Sequence, residues 1–581
     1  MHVLSVVVSM TARYLLDKRG GDLMALMTTT VALSEFQDVR DGNKYYVDKS
    51  LLIKDLLLED DRGAYLFIRP RRFGKSMNLS MLDAFFNVKY KGNHWFDDLA
   101  IQQCPEYEDY RNAFPVIRLD MKEVKVGTWE IFLRSFVGVL YDAFKAYGNL
   151  NSENAPDCDV AICQKILDLH YEEELLNVSL KVLASLLRCK FDRKVIVLID
   201  EYDHPLTSAL GMDTYARISE FLGSVYSQLL KGNKDVQMSY ITGTSRVIHQ
   251  GFFSGLSNMI VDDVFSTMSG ERFGFTESEV RELLRYYGAS DKFEEVREWD
   301  DGYRFGDVDV YNPFSVMSYI RRGFIPSDYW IGTSSDSILR WVLERIDVSR
   351  VLDMSQVLVG GSTDLTLSSR ISLKNMAIPE GWHIFYVLVE MGYLKAVHKE
   401  GKVYSLSVPN REVMGDIEEE VTEVIGLSHE VIDNLVNSLT SMDDKTMMDC
   451  LNILLNDQTF FNLTDERYYA AVLVTALRPL CRRYRIFSEL ENGDGRVDVF
   501  ILPNIEGMEP IIIEIKRVDD MDRMGSAMGH AFDQIHKRKY YQRIRGDAIL
   551  VGMVFCGKSA LVRSNRVHVG RCDSLEPHVD S

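Results

Sequence analysis

The spacing of apolar positions divides the chain into three stretches. From about residue 30 to 265, short and nearly unbroken apolar runs alternate with helical ones. The runs are AYLFI (64–68), FPVIRLDM (114–121), KVIVLIDEYD (194–203) and QMSYITGTSR (237–246). Strands so rich in Val, Ile and Leu predict a parallel sheet covered by helices on both faces. TWEIFLRSFVGVLYDAF and SLKVLASLLRCKF carry the helical period between them. From about 275 to 440 the pattern turns mainly helical: ESEVRELLRYYG and SDSILRWVLERI are amphipathic, and WHIFYVLVEMGYLKAV followed by KVYSLSVPN predicts a helix and a hairpin, the outline of a winged helix. The last stretch, from about 445, opens with helices. It continues as YRIFSELENGDGRVDVFILP, a turn, EPIIIEIKRV, a long helix over 525–543 and a final strand AILVGMVFC.

Length fits this division, because 581 residues exceed what one hydrophobic core organises. No apolar run reaches the roughly 18 residues of a membrane span. The opening MHVLSVVVSM lacks a basic leader and a small-residue cleavage site, so no signal peptide is expected and a cytoplasmic location is. Residues 1–30 read as an extension. The eight cysteines show no Cys-x-x-Cys spacing, which predicts reduced thiols and no zinc site. A net charge of −20 excludes a protein coated in nucleic acid but not a local basic cleft.

Candidate chemistry starts at the end of the first strand. Arg69-Pro70-Arg71-Arg72-Phe73-Gly74-Lys75-Ser76 ends like a phosphate loop, but its first position holds arginine where Gly-x-x-x-x-Gly-Lys-Ser/Thr has glycine. In that pattern backbone N–H groups wrap the phosphates, the lysine neutralises them and the hydroxyl holds Mg²⁺. The strand VIVLIDEYD ends in Asp200 and Glu201, which fits a carboxylate on Mg²⁺ followed by one that polarises the attacking water. A strand ending in solvated acids is the plain alternative. The strand MSYITGTSR ends in Thr242, Thr244, Ser245 and Arg246, where Arg246 is a candidate phosphate sensor or a surface arginine.

FIRPRRFGKSMNLSML, with YYVDKSLLI before it and LIDEYDHPL and ITGTSRV after it, resembles the AAA-ATPase-like family of P-loop NTPases. The resemblance implies an ATP and Mg²⁺ site built from Arg69 to Ser76, Asp200, Glu201 and Arg246, with Ser76 and Asp200 on the metal. The loop of that family also carries Arg-Pro-Arg-Arg-Phe-Gly-Lys, so Arg69 follows it. DGYRFG, VYNPFSV and YWIGTSS extend the likeness through the middle, with no chemistry assigned.

In the last stretch Glu514 and Lys516 stand two apart in IIIEIK and so share one face of a strand, and Asp498 lies on the strand before. A hairpin through NIEGMEP brings Asp498 close to Glu514. Two hard oxygen ligands and an ammonium describe a Mg²⁺ phosphodiesterase site, with Lys516 orienting or activating the nucleophile. SELENGDGRVDVFI, IIIEIK and AFDQIHKRKYY resemble the PD-(D/E)XK nuclease superfamily. By that likeness Asp498, Glu514 and Lys516 are catalytic, Asp498 and Glu514 bind metal, and Gln534 lies on the following helix; Asp465 or Glu466 supplying a further acid stays open. Lys516, Arg517, Arg523, Lys537, Arg538, Lys539, Arg543 and Arg545 concentrate positive charge on an acidic chain, as a phosphate track or as a solvated helix face. Tyr540 and Tyr541 either stack on bases or pack the helix.

The expected organisation is an extension (1–30), a P-loop domain (31–270), a helical lid with a winged-helix-like part (271–440) and a nuclease-like α/β domain (441–581). The expected function is a Mg²⁺-dependent ATPase coupled to a domain that binds or cleaves DNA or RNA. A nucleotide-gated switch with a non-cleaving domain, and a nuclease with a vestigial loop, are the alternatives. Assembly into a homo-oligomer stays open.

Overall fold

The computed structural model describes residues 33–60, 63–151, 154–245, 259–330, 353–357, 361–367, 382–417, 428–456, 466–492, 495–541, 544 and 546–569. The extension 1–30, Arg246, Asp465, Arg543, Arg545 and the SDSILRWVLERI segment lie outside the described residues.

Five parallel strands form the first sheet: β1 (Ala64–Ile68), β2 (Val116–Asp120), β3 (Val195–Asp200), β4 (Val236–Gly243) and β5 (Met259–Asp262), in the order β2-β3-β4-β1-β5. Every residue of β1 and β3 is buried, as their unbroken apolar runs require. The order places β4 between the strand that feeds the Gly-Lys-Ser turn and the strand that ends in Asp200. Helices flank the sheet. The one over Trp129–Lys145 starts where the Thr128 hydroxyl accepts the Ile131 N–H, and buries Phe132, Phe136, Leu140 and Phe144, one residue per turn on one face.

The middle of the chain holds two small sheets. β6 (Phe275–Thr276), β7 (Tyr303–Phe305) and β8 (Val308–Tyr311) pair in the order β6-β8-β7; β9 (Thr363–Thr366), β10 (Lys395–Glu400) and β11 (Val403–Ser407) pair as β10-β11-β9. The helix Trp382–Glu390 precedes the β10–β11 hairpin. Its Ile384, Phe385 and Leu388, and Leu406 of β11, join the core of the first sheet, so the winged-helix-like part is fused to that layer. A separate core unites Val280, Leu283, Val296, Val316 and Ile320 from helices Glu277–Tyr286, Phe293–Asp300 and Pro313–Arg321. A capping box starts the first of these: Thr276 Oγ1 accepts Glu279 N–H and the Glu279 carboxylate accepts Thr276 N–H.

The third sheet runs β12 (Tyr484–Asn492), β13 (Gly495–Pro503), β14 (Ile511–Arg517), β15 (Gly546–Cys556) and β16 (Ser559–Val569), in that spatial order. Only the β14–β15 pair is parallel. Along β14 Ile511, Ile513 and Ile515 enter the core beneath helices His429–Ser441, Asp444–Asn456 and Glu466–Ala476. Ile512, Glu514 and Lys516 therefore face the helix Met524–Lys537. Gln356 of the middle region accepts both the Ser488 N–H and its hydroxyl, at 2.8 and 2.7 Å, which ties β12 to the preceding layer.

Candidate functional site

The first candidate site is a cavity of about 690 Å³ at the carboxyl ends of β1, β3 and β4. β1 ends at Ile68, paired with Gly243, and the N–H that follows, of Arg69, closes this last pair by donating to Gly243 O at 3.1 Å. The chain then turns through Arg72 (φ 69°) and Gly74 (φ 85°), and the helix Lys75–Phe86 starts with Asn78 N–H donating to Gly74 O. A Cβ on Gly74 would meet nothing within 4 Å, so the glycine serves the backbone angle.

Lys75 is buried, and its ammonium donates to Arg69 O and Pro70 O, both at 2.9 Å, with Glu201 Oε1 at 3.3 Å. Burial lowers its pKa against the raising effect of Glu201 and Asp200. Ser76 Oγ donates to Asp200 Oδ2 at 2.5 Å, and Thr242 Oγ1 donates to Asp200 Oδ1 at 2.6 Å. Burial alone would raise the Asp200 pKa, but Lys122, the two hydroxyls and Lys75 outweigh it and hold the carboxyl below its ordinary range. Glu201, the next residue, takes a left-handed backbone (φ 49°), with its N–H on Thr242 Oγ1 at 3.2 Å. Glu201, His204, Thr244 and Lys122 share the polar end of the cavity with Lys75 and Ser76. Tyr46, Val47, Phe275, Phe314 and Met317 line its apolar part.

Not every residue of the loop faces this cavity. Arg71, Arg72, Phe73, Gly74, Lys75 and Ser76 line it, and Asp200 stands just behind Ser76. The expectation that the Arg69 side chain meets a nucleotide is corrected. Its guanidinium is fully buried beneath the loop, where it donates to Ile68 O, Asp262 O, Asp262 Oδ1 and Ser269 Oγ between the rings of Phe273 and Phe305. The cause is that Arg69 N–H stays bonded to Gly243 O at the end of β1, and the side chain runs towards Asp262 at the end of β5. Pro70 is likewise buried, in contact with Gly392, and meets the site through its carbonyl.

The second candidate site is a cavity of about 700 Å³ beside β13 and β14. The antiparallel pairing Val499↔Ile513 sets Asp498 opposite Glu514. Asp498 Oδ2 accepts Ile515 N–H at 2.7 Å, and Lys516 Nζ donates to Glu514 Oε1 at 2.6 Å. Glu514 is fully buried and its Oε2 has no hydrogen-bond partner among the described residues. Burial, with the neighbouring Asp498 charge, pushes its pKa up to about 8 against the pull of Lys516. The Lys516 ammonium, penalised by burial, is nevertheless raised by Glu514 and Asp498. Glu466 on the helix Glu466–Ala476 accepts Arg517 N–H at 3.0 Å and lines the same cavity with Asp498, Lys516 and Gln534. Among the described residues no trio of His, Cys, Asp or Glu converges as a metal cage. Tyr540 is buried, donates to Arg496 O and packs the helix instead of offering a ring to a base.

Comparison with known proteins matches residues 30–253 to the family described as Predicted AAA-ATPase, and residues 464–565 to the PD-(D/E)XK nuclease superfamily. The chain joins an AAA-ATPase-like domain to a PD-(D/E)XK nuclease superfamily domain. It is 26% identical over 558 residues to a protein of Azotobacter chroococcum mcd 1 described as an uncharacterized protein in the vnfD 5′ region, which covers 92% of this chain and 97% of that one. Among solved structures the Aeropyrum pernix ORC2 protein in its ADPNP–ADP complexes aligns at a TM-score of 0.26 and 12% identity, over 65% of this chain and 92% of that one.

Sequence reasoning passed over three polar residues of the AAA-ATPase-like domain. Lys122 follows β2 and reaches Ser76 Oγ at 3.1 Å. His204 lines the cavity, and burial lowers its pKa. Asp203 is fully buried, and its Oδ2 accepts Thr244 N–H, Thr244 Oγ1–H and Ser245 N–H. The signal for Lys122 was available, since ligands of open α/β sheets gather at the carboxyl ends of strands and DMK closes β2. No helix among the described residues is long and apolar enough to cross a membrane.

Proposed function

We propose that the first cavity binds ATP with Mg²⁺ and hydrolyses it, and that the second binds DNA or RNA and cleaves its phosphodiester backbone. The observation that carries the first half is the joining of Lys75, Ser76, Asp200 and Glu201 at one cavity end, from the loop after β1 and the end of β3. Lys75 has its ammonium on two loop carbonyls and Glu201. Entering phosphates would draw that ammonium away and leave the Glu201 carboxylate for a water molecule. The apolar part of the cavity suits a nucleobase, with Phe314 and Tyr46 as its walls.

Ser76 Oγ and Asp200 Oδ2 fit a divalent cation, being hard oxygens from two elements with Asp200 ionised. Bound there, Mg²⁺ would neutralise charge developing on the phosphates. The second site fits a cation for a different reason. Glu514 holds an unpartnered buried oxygen opposite Asp498, a costly arrangement that a shared positive ion relieves. Lys516 then orients the water or the scissile phosphate, while Arg496 and Arg538, which line the cavity, bind the flanking backbone.

The test is ATP turnover and cleavage of mixed DNA and RNA by the full chain, each with and without the other substrate. Lys75→Ala and Glu201→Gln should abolish turnover, and Asp498→Ala and Lys516→Ala should abolish cleavage. Turnover unaffected by Lys75→Ala refutes the nucleotide reading. Nucleic-acid binding without cleavage under any nucleotide state converts the second domain into a gated binding module.

A further inference from the structure

We propose that Lys122 is a tethered counter-ion seated where a divalent cation would bind, so that its ammonium must leave Ser76 and Asp200 before metal and nucleotide are held there. The inference rests on reading the first cavity as a nucleotide site. Lys122 Nζ lies 3.1 Å from Ser76 Oγ and 3.4 Å from Asp200 Oδ2, and those two oxygens are 2.5 Å apart. Mg²⁺ takes oxygen ligands at about 2.0–2.1 Å. A cation that close to both oxygens would lie within about 5 Å of the ammonium, and two positive charges in a walled cavity repel each other. One set of oxygens thus serves either the lysine or the metal.

The two lysines of the cavity differ in freedom. Lys75 is 3% exposed and held by two carbonyls of its own loop, so its ammonium can shift to phosphates seated on that loop but not out to solvent. The Lys122 side chain is 46% exposed on a short 3₁₀ turn, Met121–Glu123. Its backbone is fixed, because Asp120 Oδ1 accepts Lys122 N–H at 3.0 Å, but its four-carbon stem is free to swing. Placed as it is, the ammonium offsets the charge of buried Asp200. When metal and nucleotide enter, it moves to solvent or to a phosphate oxygen. Nucleotide binding therefore includes an exchange of ammonium for metal, and the Mg²⁺ requirement measures that exchange.

The experiment uses the full chain and a fluorescent ADP analogue at fixed concentration, with Mg²⁺ titrated and anisotropy recorded. Lys122→Met should reach half-maximal binding at about two- to fivefold less Mg²⁺ than wild type, the range spanned by a partly exposed ion pair. Lys122→Arg, which keeps the charge, should need as much Mg²⁺ as wild type or more. Lys122→Gln repeats the measurement should the apolar replacement unfold. Nucleotide bound with an unchanged or raised Mg²⁺ requirement in Lys122→Met and Lys122→Gln overturns the assignment of Lys122 alone. No nucleotide bound by wild type at any Mg²⁺ concentration overturns the nucleotide reading and this inference with it.

Discussion

Asp203 offers the sharpest quantitative test of the AAA-ATPase-like site. One of its oxygens accepts three donors, Thr244 N–H, Thr244 Oγ1–H and Ser245 N–H, at 3.0, 2.9 and 2.9 Å, and so fixes the chain just after β4, where Thr244 enters the cavity. Burial, reinforced by the Glu201 charge, pushes the Asp203 pKa from 3.8 to about 6. The folded protein therefore holds this proton more tightly than the unfolded chain does. The contribution of the group to stability is greatest below about pH 4, falls as pH rises to about 6 and is flat above, a loss of about 3 kcal/mol. Asp203→Asn keeps an acceptor and removes the charge. Its buried NH₂ adds a cost independent of pH, so only the change in the gap between wild type and variant reports the charge. Hydrogen exchange of peptides covering 236–245 reads the local opening of this layer. Wild type should lose protection relative to Asp203→Asn by about a hundredfold between pH 4 and pH 7. Asp203→Ala should fall below Asp203→Asn at every pH, by about 2–4 kcal/mol, because two backbone N–H groups lose their acceptor. A gap that stays constant across this range, or that moves in wild type's favour as pH rises, refutes the account.

Arg69→Met removes the buried partner of Asp262 and should cost about 3–5 kcal/mol in unfolding experiments. Because that guanidinium lies beneath the loop, nucleotide affinity of the folded variant, read by calorimetry, should change far less. Glu514→Gln should raise the thermal midpoint in metal-free buffer above pH 8, with the advantage shrinking towards pH 5. The carboxyl titrates near 8 when folded and near 4.5 when unfolded, so its charge is a cost that grows with pH over that interval. Gly302→Ala should unfold the middle region on heating well before wild type. A Cβ there would lie 1.9 Å from Pro409 O on a backbone with φ +92°, a clash with main chain that cannot rotate away. Phe314→Ala should weaken nucleotide binding by about 1–2 kcal/mol if its ring contacts the base, while leaving the dependence on Lys75 intact.

The four strands expected in the first sheet were legible because unbroken apolar runs have few other uses at that length. β5 was not, since its four residues end in Asp262, whose charge is met by Arg69 just after the neighbouring β1 and by Ser269. β16 escaped notice for the opposite reason. Its alternation is broken by Arg563 and Arg566, which stand three apart and so interrupt both faces of an edge strand. The last helix was expected to run to 543 but stops at Lys537. Lys539 takes φ 51°, Tyr540 N–H returns to Ile535 O, and the Tyr540 ring turns into the core. Helical periodicity cannot register such a stop, because the residues after it remain good helix formers. The pair Asp498 and Glu514 was legible because strand geometry leaves few choices of register once both flanks are apolar. The contacts of Lys122 and Asp203 were not, as each depends on a residue from a distant segment.

The glycine missing from the first position of the Arg69–Ser76 loop also has a physical explanation. A first glycine serves a chain that turns immediately after its strand. Here the first residue after the strand stays tied to β4, held by Arg69 N–H on Gly243 O, so position 69 needs no left-handed backbone. The turn is displaced to Arg72 and Gly74. Arg72 accepts a conformation costing about 1–2 kcal/mol relative to glycine, while its guanidinium rests 4.6 Å from the Phe314 ring, a contact of comparable size in a partly desolvated setting. The same displacement turns the Arg69 side chain under the loop, where Asp262 and Ser269 tie the floor of the site to β5. Arginine at 69 and arginine at 72 thus anchor opposite ends of one turn, the first to the sheet and the second to the helix Pro313–Arg321. Anything that reshapes this turn pulls on both anchors.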